Sequence, residues 1–216
     1  MSDILLAHLR SIGVSPGLVF DIGAHEGQFV DACRRFFPGA AVWAFEPNLA
    51  QRDRLAAKAD RVFTEVLVEA EGPVTYWEAE FSDTSGNSLL RENTNIPFRA
   101  TTRPGLPIDR LAEGRIPDLV KLDTQGTELP ILRGGSGSIA KAECVILEVS
   151  LKRYNQGSPL FAEVLAFMTG LDYCLIDMVD ALRVGDILVQ ADALFIKRSS
   201  SRFSDDVRVE FTLPTP

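Results

Sequence analysis

The chain has 216 residues, of which 46% are hydrophobic and 24% charged, and this suits one globular domain with a substantial core. Its net charge of -8 argues against a nucleic-acid partner, because phosphate binding relies on clustered Lys and Arg. The apolar runs are shorter than the ~20 residues that span a bilayer, and the N-terminus does not resemble a signal peptide. Three widely spaced cysteines suit free thiols. We therefore expect a cytoplasmic protein with neither a nucleic-acid nor a membrane partner.

Apolar runs of strand length alternate with helix-like segments along the chain. The predicted strands are 18–22, 41–46, 61–68, 118–123, 143–149, 172–178 and 191–197. The predicted helices are 3–12, 26–37, 48–59, 127–133 and 159–169. Continuous apolar strands that are each followed by a helix indicate a mostly parallel sheet covered on both faces. The pattern predicts an α/β fold.

The alternation defines three parts of the chain: a helical segment at 1–17, a domain at 18–198 and a tail at 199–216. It breaks once, at 72–107. The first third of this insertion alternates like a strand pair, and the rest is polar and rich in turn residues. A long irregular insertion in a compact domain is more often functional than inert. We expect it near the ligand-binding edge of the sheet.

The first predicted strand runs into the loop "DIGAHEGQF", which begins at Asp21. Ligands of open parallel sheets sit outside the carboxyl ends of the strands. A dinucleotide fingerprint counted from Gly23 would need glycines at His25 and Gln28. The spacing Asp-x-Gly-x-x-x-Gly instead fits Asp21, Gly23 and Gly27, and it is typical of S-adenosylmethionine (SAM) methyltransferases. SAM is cationic and has no phosphates, so it would tolerate Asp21; alternatively Asp21 caps a turn.

The second predicted strand ends in "FEPN", with Glu46 at its carboxyl edge. A carboxylate there can accept hydrogen bonds from both hydroxyls of a ribose. This fits NAD and SAM alike, and the alternative is that Glu46 is a helix N-terminal acid before Pro47. Glu69, after the third predicted strand, is a weaker candidate for contact with the adenine edge.

The fourth predicted strand opens the stretch "DLVKLDTQGTELPILRGG", which is followed by "CVILEVS". This stretch resembles the FkbM family of SAM-dependent methyltransferases, whose usual pattern is Lys-Ile-Asp, Val-Glu-Gly-Ala-Glu, a helix, Leu-x-Gly and a strand ending in glutamate. The segments "DIGAHEGQF", "FEPN", "EGPVTYW", "SGNSL" and "PIDRL" also follow the family's order. The resemblance covers 18–150 well and 151–198 by topology only.

The resemblance implies a Rossmann-like class I methyltransferase fold with a seven-stranded sheet whose seventh strand is antiparallel. It also implies SAM-dependent O-methylation of a hydroxyl on a sugar or natural product, with 72–107 as the acceptor loop. Two departures are His25 in place of asparagine and Gln125 in place of glutamate. A SAM-binding, non-catalytic partner protein and an NAD-dependent oxidoreductase remain as alternatives.

Asp123 and Glu148 would end neighbouring strands, so their carboxylates could lie close together. One of them could keep a raised pKa and serve as a base, or both could bind Mg²⁺. Alternatively, Glu148 forms a salt bridge with Arg153 or Lys121.

Glu128 and His25 complete the predicted catalytic set, although His25 could instead be a loop residue with an unusual backbone conformation. No metal-ligand motif is present in the sequence. The predicted cofactor-binding residues are Asp21, Gly23, Ala24, His25, Gly27, Glu46, Pro47, Asn48, Glu69 and Asp123.

Overall fold

The computed structural model describes residues 3–80, 86–204 and 206. Helices and strands alternate along these ranges, as the hydrophobic pattern predicts. In chain order they are α1 (Asp3–Ser11), β1 (Leu18–Ile22), α2 (Gln28–Phe36), β2 (Ala41–Phe45), α3 (Arg52–Ala56), β3 (Arg61–Phe63), β4 (Val66–Leu67), β5 (Gly72–Ala79), β6 (Phe98–Leu106), β7 (Leu119–Leu122), α4 (Glu128–Gly134), β8 (Cys144–Ser150), α5 (Phe161–Gly170), β9 (Tyr173–Val184) and β10 (Ile187–Lys197).

The main sheet has seven strands in the order β3-β2-β1-β7-β8-β10-β9. The first five are parallel, whereas β10 runs antiparallel to both of its neighbours. This confirms the predicted seven-stranded, mostly parallel sheet with an antiparallel seventh strand. The strand order reverses between β1 and β7, and ligands of such sheets bind outside the carboxyl ends at this point.

Helices cover both faces of the sheet because its central strands are apolar on both sides. Phe20 on β1 joins one buried cluster, which includes residues of α4 and α5. Its neighbour Val19 joins a second cluster on the opposite face, with α1 and α2. Leu5 of α1 is fully buried there, so α1 packs on the domain.

The 72–107 insertion is more regular than its composition predicts. Strands β5 and β6 pair antiparallel from Gly72↔Gly105 to Ala79↔Phe98, and β4 joins them in a separate three-stranded sheet. The expectation that everything after the first third is irregular was therefore wrong for Phe98–Leu106. The predicted strand at 61–68 also divides, since β3 belongs to the main sheet and β4 to the small one.

No helix in the described ranges is long and apolar enough to cross a membrane. Cys33 and Cys144 are buried free thiols, as expected, and Cys174 is half-buried.

Candidate functional site

A cavity of about 280 Å³ opens where β1, β2, β7 and β8 reach their carboxyl ends. The cavity has two chemically different ends. The loop end comprises Gly23, Ala24, His25, Glu46 and Pro47, and the carboxylate end comprises Lys121, Asp123, Gln125, Glu148 and Asp192. Other lining residues include Glu65, Tyr76, Asn87, Ser88, Thr124 and Thr127.

Gly23 brings the loop after β1 against the loop after β7. Its φ is +78°, and a Cβ there would lie 1.8 Å from the carbonyl oxygen of Asp123. The backbone N–H groups of Gly23 and Ala24 both donate to the Phe45 carbonyl, at 2.9 and 3.2 Å. Only glycine allows this contact, which leaves backbone rather than side chain at this part of the cavity.

Asp21 ends β1 beneath this loop and is fully buried. Neither of its carboxylate oxygens has a hydrogen-bond partner in the described chain. The nearest cation is Lys121, whose Nζ lies 3.9 Å from Oδ1. Burial raises the pKa of Asp21 to about 6, although Lys121 opposes the shift. Asp21 therefore does not cap a turn, and its carboxylate is an unsatisfied buried acceptor.

Glu46 accepts one backbone hydrogen bond on each carboxylate oxygen. The donors are His25 N at 2.8 Å and Asn48 N at 2.8 Å. Burial raises the pKa of Glu46, although these two bonds oppose the shift. Each oxygen keeps a lone pair for a further donor. The alternative for Glu46 was a helix N-terminal acid. Asn48 has the capping position instead, because its side chain accepts a hydrogen bond from Ala50 N.

His25 has a φ of +45°, in the left-handed region that few non-glycine residues adopt. Its side chain also lines the cavity. His25 therefore has the unusual backbone conformation that the loop-residue alternative expects, and its role as a base stays a prediction.

Lys121 lies at the centre of the carboxylate end, although the predicted site did not include it. Its Nζ donates to Asp123 Oδ2 at 3.1 Å, and its side chain is nearly buried. Burial alone would lower the pKa of Lys121, but the carboxylates of Asp123 and Asp21 more than reverse this and raise it. Lys121 is therefore a buried, permanently charged ammonium.

Gln125 joins the two predicted catalytic carboxylates. Its amide nitrogen donates to Asp123 Oδ1 at 3.3 Å and to Glu148 Oε2 at 3.0 Å, from a backbone with φ +58°. Burial, together with the charges of Asp123 and other nearby acids, raises the pKa of Glu148 well above its usual range. The structure thus brings Asp123 and Glu148 together. Arg153 pairs with Glu163 and Lys121 with Asp123, so the structure shows neither of the two salt bridges that were the alternative for Glu148.

Glu128 organises the loop after β7. Its Oε1 accepts from Thr124 N at 2.9 Å, Thr124 Oγ1 at 3.1 Å and Gly126 N at 3.1 Å. The side chain is buried and does not line the cavity. The structure therefore does not support Glu128 as a candidate base, because its carboxylate is buried against the loop after β7 and does not line the cavity.

Four predicted cofactor-binding residues do not line the cavity: Asp21, Gly27, Asn48 and Glu69. Glu69 is exposed because the chain leaves the main sheet after β3. Its Oε2 lies 3.6 Å from Arg133 Nη1. Glu65 and Tyr76 line that part instead, and the buried Tyr76 hydroxyl has no partner within the described residues.

Asp192 is the main acid that the sequence prediction missed. It lies on β10 directly opposite Glu148 and lines the cavity. The available signal was a carboxylate inside the apolar run "ADALFIK". In the ranges that the structure describes, no group of three or more His, Cys, Asp or Glu side chains is arranged to hold a metal ion. The Mg²⁺ expectation therefore gains no support.

Two solved methyltransferase structures share this fold. Magnesium protoporphyrin IX methyltransferase (ChlM) from Synechocystis PCC 6803, solved with bound SAM, has a TM-score of 0.52 at 14% identity, over 90% of this chain and 77% of that one. A SAM-dependent methyltransferase from Clostridium acetobutylicum has a TM-score of 0.52 at 8% identity, over 91% and 90%. The fold is that of the class I methyltransferases.

Sequence comparison gives a more specific result. The chain is 28% identical over 138 residues to hexuronic acid methyltransferase AglP of Haloferax volcanii. This alignment covers 61% of the chain but only 55% of that relative, about half its length. The family described as the methyltransferase FkbM domain matches residues 21–175, which is more than half of the chain. The chain therefore belongs to the FkbM methyltransferase domain family.

Proposed function

We propose that this protein is a SAM-dependent O-methyltransferase that acts on a hydroxyl of a small molecule, either a sugar or another natural product. The observation that carries the proposal is one cavity with a glycine-built backbone edge at one end and converging carboxylates at the other. Family membership supports methyl transfer, and the name of the AglP relative supports a sugar-type acceptor.

The loop end fits SAM on its own chemistry. The unsatisfied carboxylate of Asp21 lies beneath the loop, where the pyrophosphate of NAD would be repelled and a cationic ligand would not. Glu46 retains acceptor capacity for two ribose hydroxyls. Gly23 allows close approach of the backbone. The residues that would hold SAM are Gly23, Ala24, His25 and Glu46.

Bound SAM supplies an electrophilic methyl group. The chain's own task is to hold an acceptor oxygen in line with that carbon and to remove its proton. Correct positioning can supply effective molarities of about 10⁵–10⁸ M. A placed base typically adds about 10²–10⁴-fold. The carboxylates of Asp123 and Glu148 give the cavity hydrogen-bond acceptors for a hydroxyl.

The non-catalytic alternative rests on Gln125, which stands where the family usually has glutamate. The Gln125 amide donates hydrogen bonds to both Asp123 and Glu148, so a glutamine at this position still holds the two carboxylates together. The alternative therefore loses its main support.

Two measurements test the proposal. Isothermal titration with SAM and, separately, with NAD⁺ should give binding of SAM alone. Tritium transfer from [methyl-³H]SAM to a panel of methyl glycosides should give a labelled ether product. Binding of NAD⁺ in preference to SAM would reject the proposal.

A further inference from the structure

Three carboxylates form a row across neighbouring strands at the carboxylate end. Leu122 of β7 pairs with Leu147 of β8, so the residues that follow them, Asp123 and Glu148, are neighbours. Glu148 in turn pairs with Asp192 of β10. Directly paired residues of adjacent strands project to the same face. Asp192 therefore extends the row by one strand, and all three residues line the cavity.

The three carboxylates differ in what already binds them. Asp123 accepts from Lys121 on one oxygen and from Gln125 on the other. Glu148 is half-buried, like Asp192, and accepts from the same Gln125 amide. Asp192 is partly exposed, and its side chain makes no hydrogen bond or ion pair with any residue that the structure describes. Among the three, it is the carboxylate that is open to a new donor.

The charged neighbours of Asp192 come from each strand packed around it. They are Asp123 and Lys121 on β7, Glu148 on β8 and Asp180 on β9. Burial, followed by the charge of Asp123, raises the pKa of Asp192 to about 6, while Lys121 opposes the shift. Such a group is ionised near neutral pH yet basic enough to hold a proton, which is the compromise that favours a general base.

We propose that Asp192 accepts the proton of the acceptor hydroxyl during methyl transfer, an inference that rests on the proposed O-methyltransferase function. The O–H bond breaks and its proton goes to the Asp192 carboxylate, which becomes a carboxylic acid. The electron pair left on oxygen forms the new bond to the methyl carbon as the bond from that carbon to sulfur breaks. The products are the methyl ether and the neutral thioether, and the proton later leaves to solvent.

The first test is turnover with [methyl-³H]SAM and a panel of methyl glucoside, methyl galactoside and methyl rhamnoside. Asp192→Asn keeps the shape and removes the base, so kcat should fall about 10²-fold or more while the Kd for SAM stays within about twofold. Asp192→Glu retains an acid and should recover part of kcat. Asp186→Asn, in the exposed β9–β10 turn, is the matched control and should behave like wild type. Full activity of a folded Asp192→Asn variant would overturn the inference.

The second test needs neither SAM nor an acceptor. Carboxyl ¹³C NMR of aspartate-labelled wild-type protein should contain one resonance that is missing from Asp192→Asn and titrates near pH 6. A midpoint near the ordinary value of about 3.9 would overturn the inference. Should Asp192→Asn fail to fold, Asp192→Glu identifies the same resonance by its disappearance. If wild type labels none of the three glycosides, that result counts against the proposed function, whereas a midpoint near 3.9 counts against Asp192 as the base even if wild type is active.

Discussion

The two ends of the cavity are built by different kinds of contact. At the loop end most of the hydrogen bonds come from the main chain: backbone N–H groups donate to the Phe45 carbonyl and to the two oxygens of Glu46. At the carboxylate end side chains bind one another, through Lys121 and Gln125. The loop end should therefore be sensitive to backbone changes, and the carboxylate end to the loss of a single charge.

The ends also differ in how their acids are compensated. Glu46 receives two backbone hydrogen bonds. Asp123 and Glu148 instead share the Gln125 amide, and Asp123 also accepts from the Lys121 ammonium. The pKa of a carboxylate that accepts backbone hydrogen bonds changes little when neighbouring side chains are substituted. Clustered acids titrate together, so a substitution at one alters the proton affinity of the others.

The largest expected effect comes from Gly23→Ala at the loop end. The added Cβ would meet the Asp123 carbonyl at 1.8 Å, and the left-handed backbone would add strain. We expect destabilisation of about 3 kcal/mol or more and no measurable SAM binding. Denaturant unfolding and calorimetry measure both. Gly39→Ala, where an added Cβ has nothing within 4 Å, is the control, and equal behaviour of the two variants would contradict the backbone argument.

Glu46→Ala should come next, and its main effect should be on SAM binding. Removing the charged acceptor for two ribose hydroxyls is expected to weaken SAM binding by about 2–4 kcal/mol. Glu71→Ala serves as the control, because Glu71 is exposed and its contact with Arg110 is 3.8 Å long. The measurement is the Kd for SAM by calorimetry on folded protein. Unchanged affinity in Glu46→Ala would remove Glu46 from the ribose site.

Asp123→Asn tests the carboxylate end, and its expected effect is on kcat rather than on SAM affinity. It keeps the side-chain shape and removes a charge, so kcat should fall about a hundredfold while SAM still binds. The control is Asp53→Asn, an exposed position on α3. Tritium transfer from SAM gives kcat. A variant that loses SAM affinity as strongly as kcat would show that the two ends are not independent.

The smallest effect is a pH dependence that originates at Asp21. Its folded pKa of about 6 lies above the ordinary 3.8, so the folded state binds the proton more tightly than the unfolded state does. This stabilisation is complete below the ordinary pKa and is lost as pH rises through about 6. Relative to Asp21→Asn, wild type should gain on the order of 1–2 kcal/mol between about pH 7 and about pH 4.5. Denaturant unfolding at both pH values tests this, and parallel profiles would contradict it.

The loop end could be predicted from sequence because its determinants are local. Asp21, Gly23 and Glu46 each occupy the end of a recognisable apolar strand, and parallel strands bring those ends to one edge. The prediction that Glu69 contacts the adenine edge gained no support, because the chain leaves the main sheet after β3 and this departure depends on tertiary pairing. Val66 pairs with Gly105, a contact between residues far apart in the chain that no local pattern encodes.

The carboxylate end could be predicted only in part. The pairing of Asp123 with Glu148 follows from two adjacent parallel strands. Asp192 required the register of the antiparallel β10, which is set by contacts with both β8 and β9, including three register shifts against β9. A one-residue slip would have turned Asp192 to the opposite face. The sequence made Glu128 a candidate base, because the direction of a side chain within a short loop cannot be predicted from sequence.

The position of β10 also affects where this protein can be cut. The region shared with the family ends at residue 175, before β10 begins at Ile187. A fragment trimmed to that boundary would leave β8 as an unprotected sheet edge. Its apolar strand "CVILEVS" would then offer free backbone groups to other copies, which is a common route to aggregation. The C-terminal hairpin therefore belongs in any expressed version of the domain.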